Sequence, residues 1–250
     1  MTGAGADLIA QGYDAVYGGI QSSTAFQAVW RERAMGADFP AGFEHISFFN
    51  LAELAAFRRE LALTPGAHLA DLACGLGGPG LLLARETGAT LHGVDISPVG
   101  VEGARARAAR VGLADRATFH VGTFAATGLD DASMDGAITL DALQYAPDKR
   151  VAVREVARIL KPGGRFVFAC FELDPEHVAG LPVLGDDPIA DYAPLLREAG
   201  FDDGALTFCT AAQVLRDYQR YTAERSLPRR ILRVLAGDRA GIDLYLAFAR

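Results

Sequence analysis

The sequence predicts an α/β fold, with a mostly parallel, doubly wound β-sheet and helices on both of its faces. Three observations predict it. Short apolar segments alternate with amphipathic ones across residues 66–172, a glycine-rich turn follows the first apolar segment, and helix-capping residues precede the amphipathic ones. A repeated strand–helix–strand order gives parallel strands, because each helix returns the chain to the same edge of the sheet.

Five apolar segments of this region are predicted to be strands, since they are short and are bounded by residues typical of turns. They are His68–Ala73, Thr90–Val94, Ala117–Val121, Gly136–Leu140 and Arg165–Phe171. Ligands of such sheets bind beyond the carboxyl ends of the strands. We therefore expect the loops after the first four strands to surround one pocket.

The helices between these strands have recognisable starts and stops. Pro79 suits the first turn of a helix that follows the glycine-rich turn. Ser97 is a good N-cap for a helix that begins at Pro98 and runs to about Val111. Asp148–Leu160 is predicted as a further helix, and Lys161–Gly164 (Lys-Pro-Gly-Gly) is predicted to end it.

The segments on either side of this region are predicted to be mainly helical. We expect residues 1–62 to form a helical N-terminal lid and residues 63–250 to form the sheet domain. Apolar residues at helical spacing predict a helix over Phe48–Leu61. The C-terminal part predicts helices over Ile189–Glu198 and Ala211–Leu227, and strands over Phe201–Phe208 and Ile242–Ala249. The chain between these two strands is longer than a hairpin needs, which predicts a helical cap insertion at about 209–240.

Composition and charge argue against several classes of protein. Half of the 250 residues are hydrophobic and 22% are charged, as in ordinary globular domains. The net charge of -7 and the lack of a basic face predict no binding to nucleic acid. The chain has no apolar run long enough for a membrane span, and we expect no signal peptide. Cys74, Cys170 and Cys209 are widely spaced, so we expect a cytoplasmic protein without disulfides or a metal site.

A glycine-rich turn joins the first predicted strand to the next helix. Gly75, Gly77 and Gly80 spell GxGxxG, a pattern shared with dinucleotide-binding proteins. Asp95 ends the second strand, where a carboxylate can accept hydrogen bonds from both ribose hydroxyls. Asp71, inside the first strand, would repel a pyrophosphate but attract a cationic ligand. S-adenosylmethionine carries a sulfonium and an ammonium and therefore fits better than NAD. A tight turn without a ligand is the alternative.

Over residues 66–172 the chain resembles the class I, Rossmann-like S-adenosylmethionine-dependent methyltransferases of the small-molecule type. The resemblance rests on Leu69–Gly77, Gly93–Ser97 and Arg158–Gly164. It implies a seven-stranded sheet whose last strand, Ile242–Ala249, is antiparallel. It also implies S-adenosyl-L-methionine as cofactor, with S-adenosyl-L-homocysteine as product.

The resemblance also implies a set of cofactor-binding residues. In the family the glycine loop holds the methionine moiety, the acid after the second strand holds the ribose, and the next residue packs on the adenine. The expected set is Tyr17, Asp71, Ala73, Gly75, Gly77, Asp95, Ile96, Thr123, Phe124 and Leu140. Two positions depart from the family. Ala73 replaces the usual first glycine, which matters little if its φ is negative. Thr123 stands where an aspartate often contacts the adenine, and its hydroxyl can also accept a hydrogen bond.

Methyl transfer is an in-line displacement, so the protein must align the nucleophile with the methyl group. It must also remove a proton if the nucleophile is a hydroxyl or a protonated amine. In similar enzymes an acid and a histidine follow the fourth strand, and here Asp141 and Tyr145 stand there. Tyrosine is a weaker base than histidine, so we expect Tyr145 to orient the substrate. Asp141 has a helix N-cap as its alternative role. His45, in the expected lid, is the third catalytic candidate, with a structural role as the alternative.

Tyr13 and Tyr17 are spaced to lie on one helix face, where they either close over the cofactor or simply pack. The remaining histidines of the sheet region are interpreted as structural: His68, His92 and His120. The expected function is methyl transfer to an oxygen, nitrogen or carbon atom of a small, natural-product-like metabolite. The alternatives are a NAD-dependent oxidoreductase and a cofactor-binding cyclase on the same scaffold. We expect a small-molecule partner, and the sequence is compatible with a homodimer.

Overall fold

The structure is a computed structural model that describes residues 3–22, 39–47, 51–170 and 192–201. Within these ranges it has six α-helices: α1 Gly3–Ser22, α2 Leu51–Leu61, α3 Gly78–Thr87, α4 Pro98–Arg110, α5 Lys149–Ile159 and α6 Ala193–Glu198. Short 3-10 helices occupy Ala114–Arg116 and Leu143–Tyr145. The elements predicted beyond residue 201 lie outside the described residues, namely the strand to Phe208, the helix Ala211–Leu227, the cap insertion at 209–240 and the strand Ile242–Ala249.

Five strands form one parallel sheet in the described part of the chain. They are β1 His68–Leu72, β2 Thr90–Asp95, β3 Ala117–Val121, β4 Met134–Leu140 and β5 Leu160–Ala169. Their order across the sheet is β3-β2-β1-β4-β5, and every neighbouring pair is parallel. The predicted parallel α/β sheet is therefore confirmed for these strands. The order reverses next to β1, which places the ends of β1, β2 and β4 around one crevice.

Several strand boundaries differ from the prediction. β2 ends one residue later, at Asp95, β4 begins two residues earlier, at Met134, and β5 ends two residues earlier, at Ala169. β1 ends at Leu72, one residue early, because Ala73 turns into the left-handed region with φ 61°. β5 begins at Leu160, so Lys161–Gly164 lies inside this strand instead of separating it from α5. The β4–β5 pairing shifts its register between Met134 and Gly136, and this irregularity accommodates the extra residues.

The core lies on both faces of the sheet. On one face, α2, α3 and α4 bury apolar side chains against β1, β2, β3 and β4, including Leu54, Leu82, Val101, Leu69, Leu91, Phe119 and Ile138. On the other face, α5 packs Val156 and Ile159 against Ala70, Leu72, Val94 and Ala137. Each large side chain buried in this way contributes roughly 1.5–3 kcal/mol. The predicted doubly wound arrangement is confirmed. None of the described helices is both long and apolar enough to cross a membrane.

Local capping sets the helix starts as the sequence predicts. Ser97 is the N-cap of α4, and its hydroxyl accepts a hydrogen bond from Gly100 N at 2.9 Å. Asp148 caps α5 by accepting from Val151 N at 2.9 Å. The helix predicted over Ile189–Glu198 is observed from Ala193, and the one predicted over Phe48–Leu61 from Leu51. Residues 48–50 and 189–191, where the two helices were predicted to begin, fall outside the described ranges. Tyr192 is the N-cap of α6.

Candidate active site

The glycine-rich turn lies at the carboxyl end of β1, in the crevice formed by the strand order. Ala73, Gly75 and Gly77 all have positive φ, at 61°, 51° and 76°. Alanine at position 73 was expected to matter little if its φ were negative, and this condition is not met. An alanine in this region costs about 1–2 kcal/mol. The turn is nevertheless held, because Cys74 N donates to Val94 O at 3.1 Å and Gly77 N donates to Cys74 O at 2.8 Å.

Each glycine of the GxGxxG pattern has a different neighbour where a side chain would stand. A Cβ on Gly77 would lie 3.2 Å from both Ala104 and Phe119, so Gly77 allows the loop to pack on α4 and β3. A Cβ on Gly80 would overlap the carboxylate of Asp71. A Cβ on Gly75 would lie 2.6 Å from the hydroxyl of Tyr17. Gly75 is thus the glycine that faces α1.

Asp95 is held by the backbone at the end of β2. Its Oδ2 accepts a hydrogen bond from Gly75 N at 2.7 Å, and its Oδ1 accepts one from Ser97 N at 2.8 Å. The residue is only 4% exposed. Burial raises the pKa of Asp95, and the two amides oppose the rise. Each carboxylate oxygen can still accept a second hydrogen bond, which is what a ribose diol requires.

Asp71 is a buried acid with little to neutralise it. It is 2% exposed, and in the described part of the chain no hydrogen bond stabilises its carboxylate. Burial, followed by the nearby charge of Asp95, raises the pKa of Asp71 to about 7. A cation placed beside the carboxylate would favour its ionised form. This end of the crevice therefore suits a positively charged ligand.

Helix α1 brings two tyrosines to the same crevice. The Tyr17 ring lies against Gly75 and also against Gly100, where a Cβ would be 3.0 Å from the ring. Tyr13 stacks on Tyr17 with ring centroids 5.6 Å apart, and its ring meets Tyr145 edge-on at 6.1 Å. The predicted shared face of the two tyrosines is confirmed. Burial raises the pKa of both Tyr13 and Tyr17 far above the ordinary value, so both hydroxyls stay protonated.

Asp14 attaches α1 to the start of α4, a contact that was not predicted from the sequence. The Ser97 hydroxyl donates to Asp14 Oδ1, and Val99 N donates to the same oxygen at 3.4 Å. The contact joins residues 83 positions apart in the chain. A lone aspartate in a predicted helix gives no sequence signal of such a partner.

The segment after β4 carries the two candidates expected there. Asp141 has φ 51°, its N–H donates to Ala169 O at 2.7 Å, and its carbonyl accepts from Gln144 Nε2 at 2.6 Å. Ala142, not Asp141, is the N-cap of the 3-10 helix that follows, so the N-cap alternative for Asp141 is wrong. Tyr145 ends this 3-10 helix next to Tyr13, and the charges of Asp141 and Asp95 also act on Tyr13.

His45 belongs to the segment that packs against Gly78 and α4. Its ring packs edge-on against Phe39 at 4.4 Å, and its Nδ1 accepts from Ser47 N at 3.2 Å. Its neighbour Glu44 accepts a hydrogen bond from Arg107 on α4 through its carbonyl. The structure therefore brings Asp141 and Tyr145 together with the tyrosines of α1, while His45 contacts Phe39 and Ser47.

The remaining cofactor candidates line the ends of β2, β3 and β4. Ile96 and Leu140 are half-buried. Thr123 is exposed, and its hydroxyl accepts from Ala126 N at 3.2 Å in the turn after β3. Phe124 is half-buried and packs on the core beneath α5. No three His, Cys, Asp or Glu side chains of the described ranges are placed to hold a metal ion.

The site combines acids with neutral aromatic side chains. Asp95 lies within electrostatic range of Asp71, Tyr13 and Tyr17. Carboxylates and aromatic faces both attract cations. The arrangement can therefore bind a cationic ligand that also offers hydroxyl groups to Asp95.

The chain is similar in sequence to known methyltransferases. A family model described as "Methyltransferase domain" matches residues 70–168. The chain is 30% identical over 185 residues to the O-methyltransferase resE of Aspergillus sclerotiorum, covering 66% of this chain and 70% of that protein. It is 36% identical over 159 residues to 24-methylenesterol C-methyltransferase 2 of Oryza sativa subsp. japonica, covering 57% of this chain and 43% of that protein.

Among solved structures, the fold is similar to that of the [4+2]-cyclase SpnF. The TM-score is 0.59 at 24% identity, and the match covers 79% of this chain and 73% of that one. The chain spans between 43% and 56% of the length of the first four curated relatives that it matches.

Proposed function

This chain belongs to the class I, S-adenosylmethionine-dependent methyltransferases, and we propose that it transfers the methyl group of S-adenosylmethionine to a small metabolite. The acceptor atom is an oxygen, nitrogen or carbon of a natural-product-like compound. Its relatives include both an O-methyltransferase and a sterol C-methyltransferase, which supports oxygen and carbon as acceptors.

One observation carries the choice of cofactor. The Asp71 carboxylate is buried beneath the glycine loop beside a second acid, Asp95, and burial holds its pKa near 7. The ammonium and sulfonium of S-adenosylmethionine would relieve this unfavourable charge. A pyrophosphate in the same place would make it worse, which argues against NAD and against the oxidoreductase alternative.

Each residue of the crevice would bind a different part of the cofactor. Asp95 would accept hydrogen bonds from the ribose hydroxyls, and Asp71 would face the cationic methionine end. Tyr17 would cover the loop with a neutral hydroxyl that can donate. The proposed cofactor-binding set is completed by Ala73, Gly75, Gly77, Ile96, Thr123, Phe124 and Leu140. When bound, S-adenosylmethionine supplies an electrophilic methyl group.

The acceptor would lie near Tyr145 and Asp141. Tyr13 contacts Tyr145 from α1, so the two phenols form one polar edge that can orient a nucleophile. Asp141, on a backbone with positive φ, would receive a proton or hold it in place. His45 is given no step, because its ring lies beside Phe39 and Ser47.

The domain organisation follows from the same proposal. Residues 1–62 would act as the N-terminal lid, and residues 63–250 would form the methyltransferase domain with a cap insertion at about 209–240. The partner would be a small molecule rather than nucleic acid. The similarity to a cyclase concerns the fold alone, and fold does not fix the reaction.

Binding and transfer can be tested separately. We expect S-adenosylhomocysteine to raise the melting temperature of the protein, because a ligand at 100 times its dissociation constant stabilises the fold by about 2.7 kcal/mol. NADH at the same concentration should have no effect. Stabilisation by NADH but not by S-adenosylhomocysteine would refute the proposal. Methyl transfer should then be detected by mass spectrometry across phenol, amine and activated-carbon acceptors, and a bound cofactor without any transfer would favour the cyclase alternative.

A further inference from the structure

The Asp14 side chain forms hydrogen bonds with residues at the start of α4 and not with the glycine loop. It lies on α1, and its Oδ1 accepts hydrogen bonds from the Ser97 hydroxyl and from Val99 N at the N-terminus of α4. A carboxylate at the N-terminus of a 13-residue helix is further favoured by the helix dipole. The contact therefore attaches α1 firmly to the sheet domain.

The same turn of α1 carries the side chains that cover the crevice. Tyr17 follows Asp14 by less than one helical turn, and its ring occupies the surface of Gly75 and Gly100. Tyr13 precedes Asp14 and reaches Tyr145 on the other side of the crevice. The position of both rings over the crevice thus depends on where Asp14 holds the helix.

Ser97 links this attachment to the acid that would hold the ribose. Its hydroxyl donates to Asp14, while its backbone N–H donates to Asp95 Oδ1 at 2.8 Å. Asp14 and Asp95 are like charges, so Asp14 near Asp95 is electrostatically unfavourable for the latter. Asp14 and Asp95 therefore share one serine, which couples the position of α1 to that of the acid at the end of β2.

We propose that Asp14 is a positioning residue for the cofactor. By accepting the Ser97 hydrogen bond, it holds α1 closed over the glycine loop and Asp95, so that bound cofactor leaves slowly. This inference rests on the proposed function, since it takes S-adenosylmethionine as the ligand of the crevice.

The test is the rate at which S-adenosylhomocysteine dissociates from the full chain, measured by chasing labelled ligand with an unlabelled excess. Asp14→Ala should speed dissociation about tenfold, since a hydrogen bond to a charged group is lost. Asp14→Asn should stay within about threefold of wild type, because the amide oxygen accepts the same two hydrogen bonds. Asp115→Ala is the matched control: this exposed acid lies before β3, at the opposite edge of the sheet, and should change nothing.

Two further measurements separate positioning from a merely structural role. With Asp14→Ala, KM for the cofactor should rise while kcat at saturating cofactor stays within about twofold, and amides of α1 should exchange hydrogen faster in the ligand-free protein. Dissociation as slow as in wild type, or Asp14→Asn as fast as Asp14→Ala, would overturn the inference. If Asp14→Ala does not fold, Asp14→Glu replaces it, because the extra methylene displaces the carboxylate and should also speed dissociation. Failure of the wild type to bind S-adenosylhomocysteine would instead refute the proposed function.

Discussion

Replacing Asp71 by asparagine should make the ligand-free protein more stable and its binding of the cofactor weaker. Burial raises the pKa of Asp71 from 3.8 to about 7. A shift of this size corresponds to about 4 kcal/mol, at about 1.4 kcal/mol per unit. Below pH 3.8 both the folded and the unfolded chain carry a protonated acid and nothing is lost. Stability then falls as the pH rises towards 7, because only the unfolded chain ionises readily, and above 7 the whole penalty applies.

Asparagine cannot ionise, so Asp71→Asn removes this penalty. A buried amide without a hydrogen-bond partner costs about 1–3 kcal/mol, which leaves a net gain of about 1–3 kcal/mol at pH 8. Urea unfolding of the ligand-free protein at pH 5 and pH 8 measures the gain, which should be small at pH 5. The affinity for S-adenosylmethionine, from titration calorimetry at pH 8, should fall at least tenfold because its cationic groups lose their counter-charge.

If Asp71 faces the ligand, Asp71→Asn raises the stability of the ligand-free protein and lowers its affinity for the cofactor. An acid with a purely structural role would not give this combination. Asp115→Asn, an exposed acid far from the crevice, should change neither quantity. If Asp71→Asn lowers the stability at pH 8 and leaves cofactor affinity unchanged, the reasoning about Asp71 is wrong and the acid serves the fold alone.

Three more substitutions probe other parts of the molecule. Asp95→Ala should weaken cofactor binding at least tenfold, about 1.4 kcal/mol, since it removes the proposed ribose acceptor and the hydrogen bond from Gly75 N; equal affinity by calorimetry would exclude Asp95 from the site. Tyr145→Phe should lower kcat with little change in the cofactor KM, because Tyr145 faces Tyr13 and not the glycine loop; a change in KM alone would contradict this. Burial, together with His68 and His120, lowers the pKa of His92, so below pH 6.5 the unfolded chain binds a proton that the folded chain resists. His92→Gln should therefore make the stability at pH 5.5, relative to that at pH 7.5, higher than in wild type in urea titrations. An identical pH dependence of the two proteins would show that His92 does not contribute.

Sequence reasoning succeeds here wherever the signal is local. Ser97 followed by Pro98 marks the start of α4, because a hydroxyl one residue before a proline satisfies the free amides of a helix start. Asp148 does the same for α5. The apolar segments predict the strands because a fully covered parallel sheet requires them. The acid at the end of β2 could likewise be found from its distance to the glycine loop.

Predictions from the sequence fail where the backbone conformation, or a contact with a residue distant in the chain, determines the local structure. The alanine side chain gives no sign that Ala73 adopts positive φ, and aspartate, which tolerates positive φ better than most residues, was not predicted to do so at Asp141. Lys161–Gly164 has the composition of a turn but lies inside β5, where it forms an irregularity between Leu160, which pairs with Met134, and Arg165, which pairs with Gly136. Asp14 was missed because its partner is 83 residues away and belongs to another element. Long-range contacts of this kind leave no periodic pattern in a single sequence.

The close approach of Gly80 to Asp71 constrains how this sequence can vary. Because a methyl group at position 80 would overlap the Asp71 carboxylate, neither position can enlarge unless the other shrinks. A library that randomises position 80 alone should recover mainly glycine, whereas one that randomises position 71 alone should recover residues no larger than aspartate. A library that randomises the two positions together should recover pairs in which a larger residue at 80 accompanies a shorter one at 71. Such pairs would fold without the buried acid and would therefore separate selection for folding from selection for catalysis in one experiment.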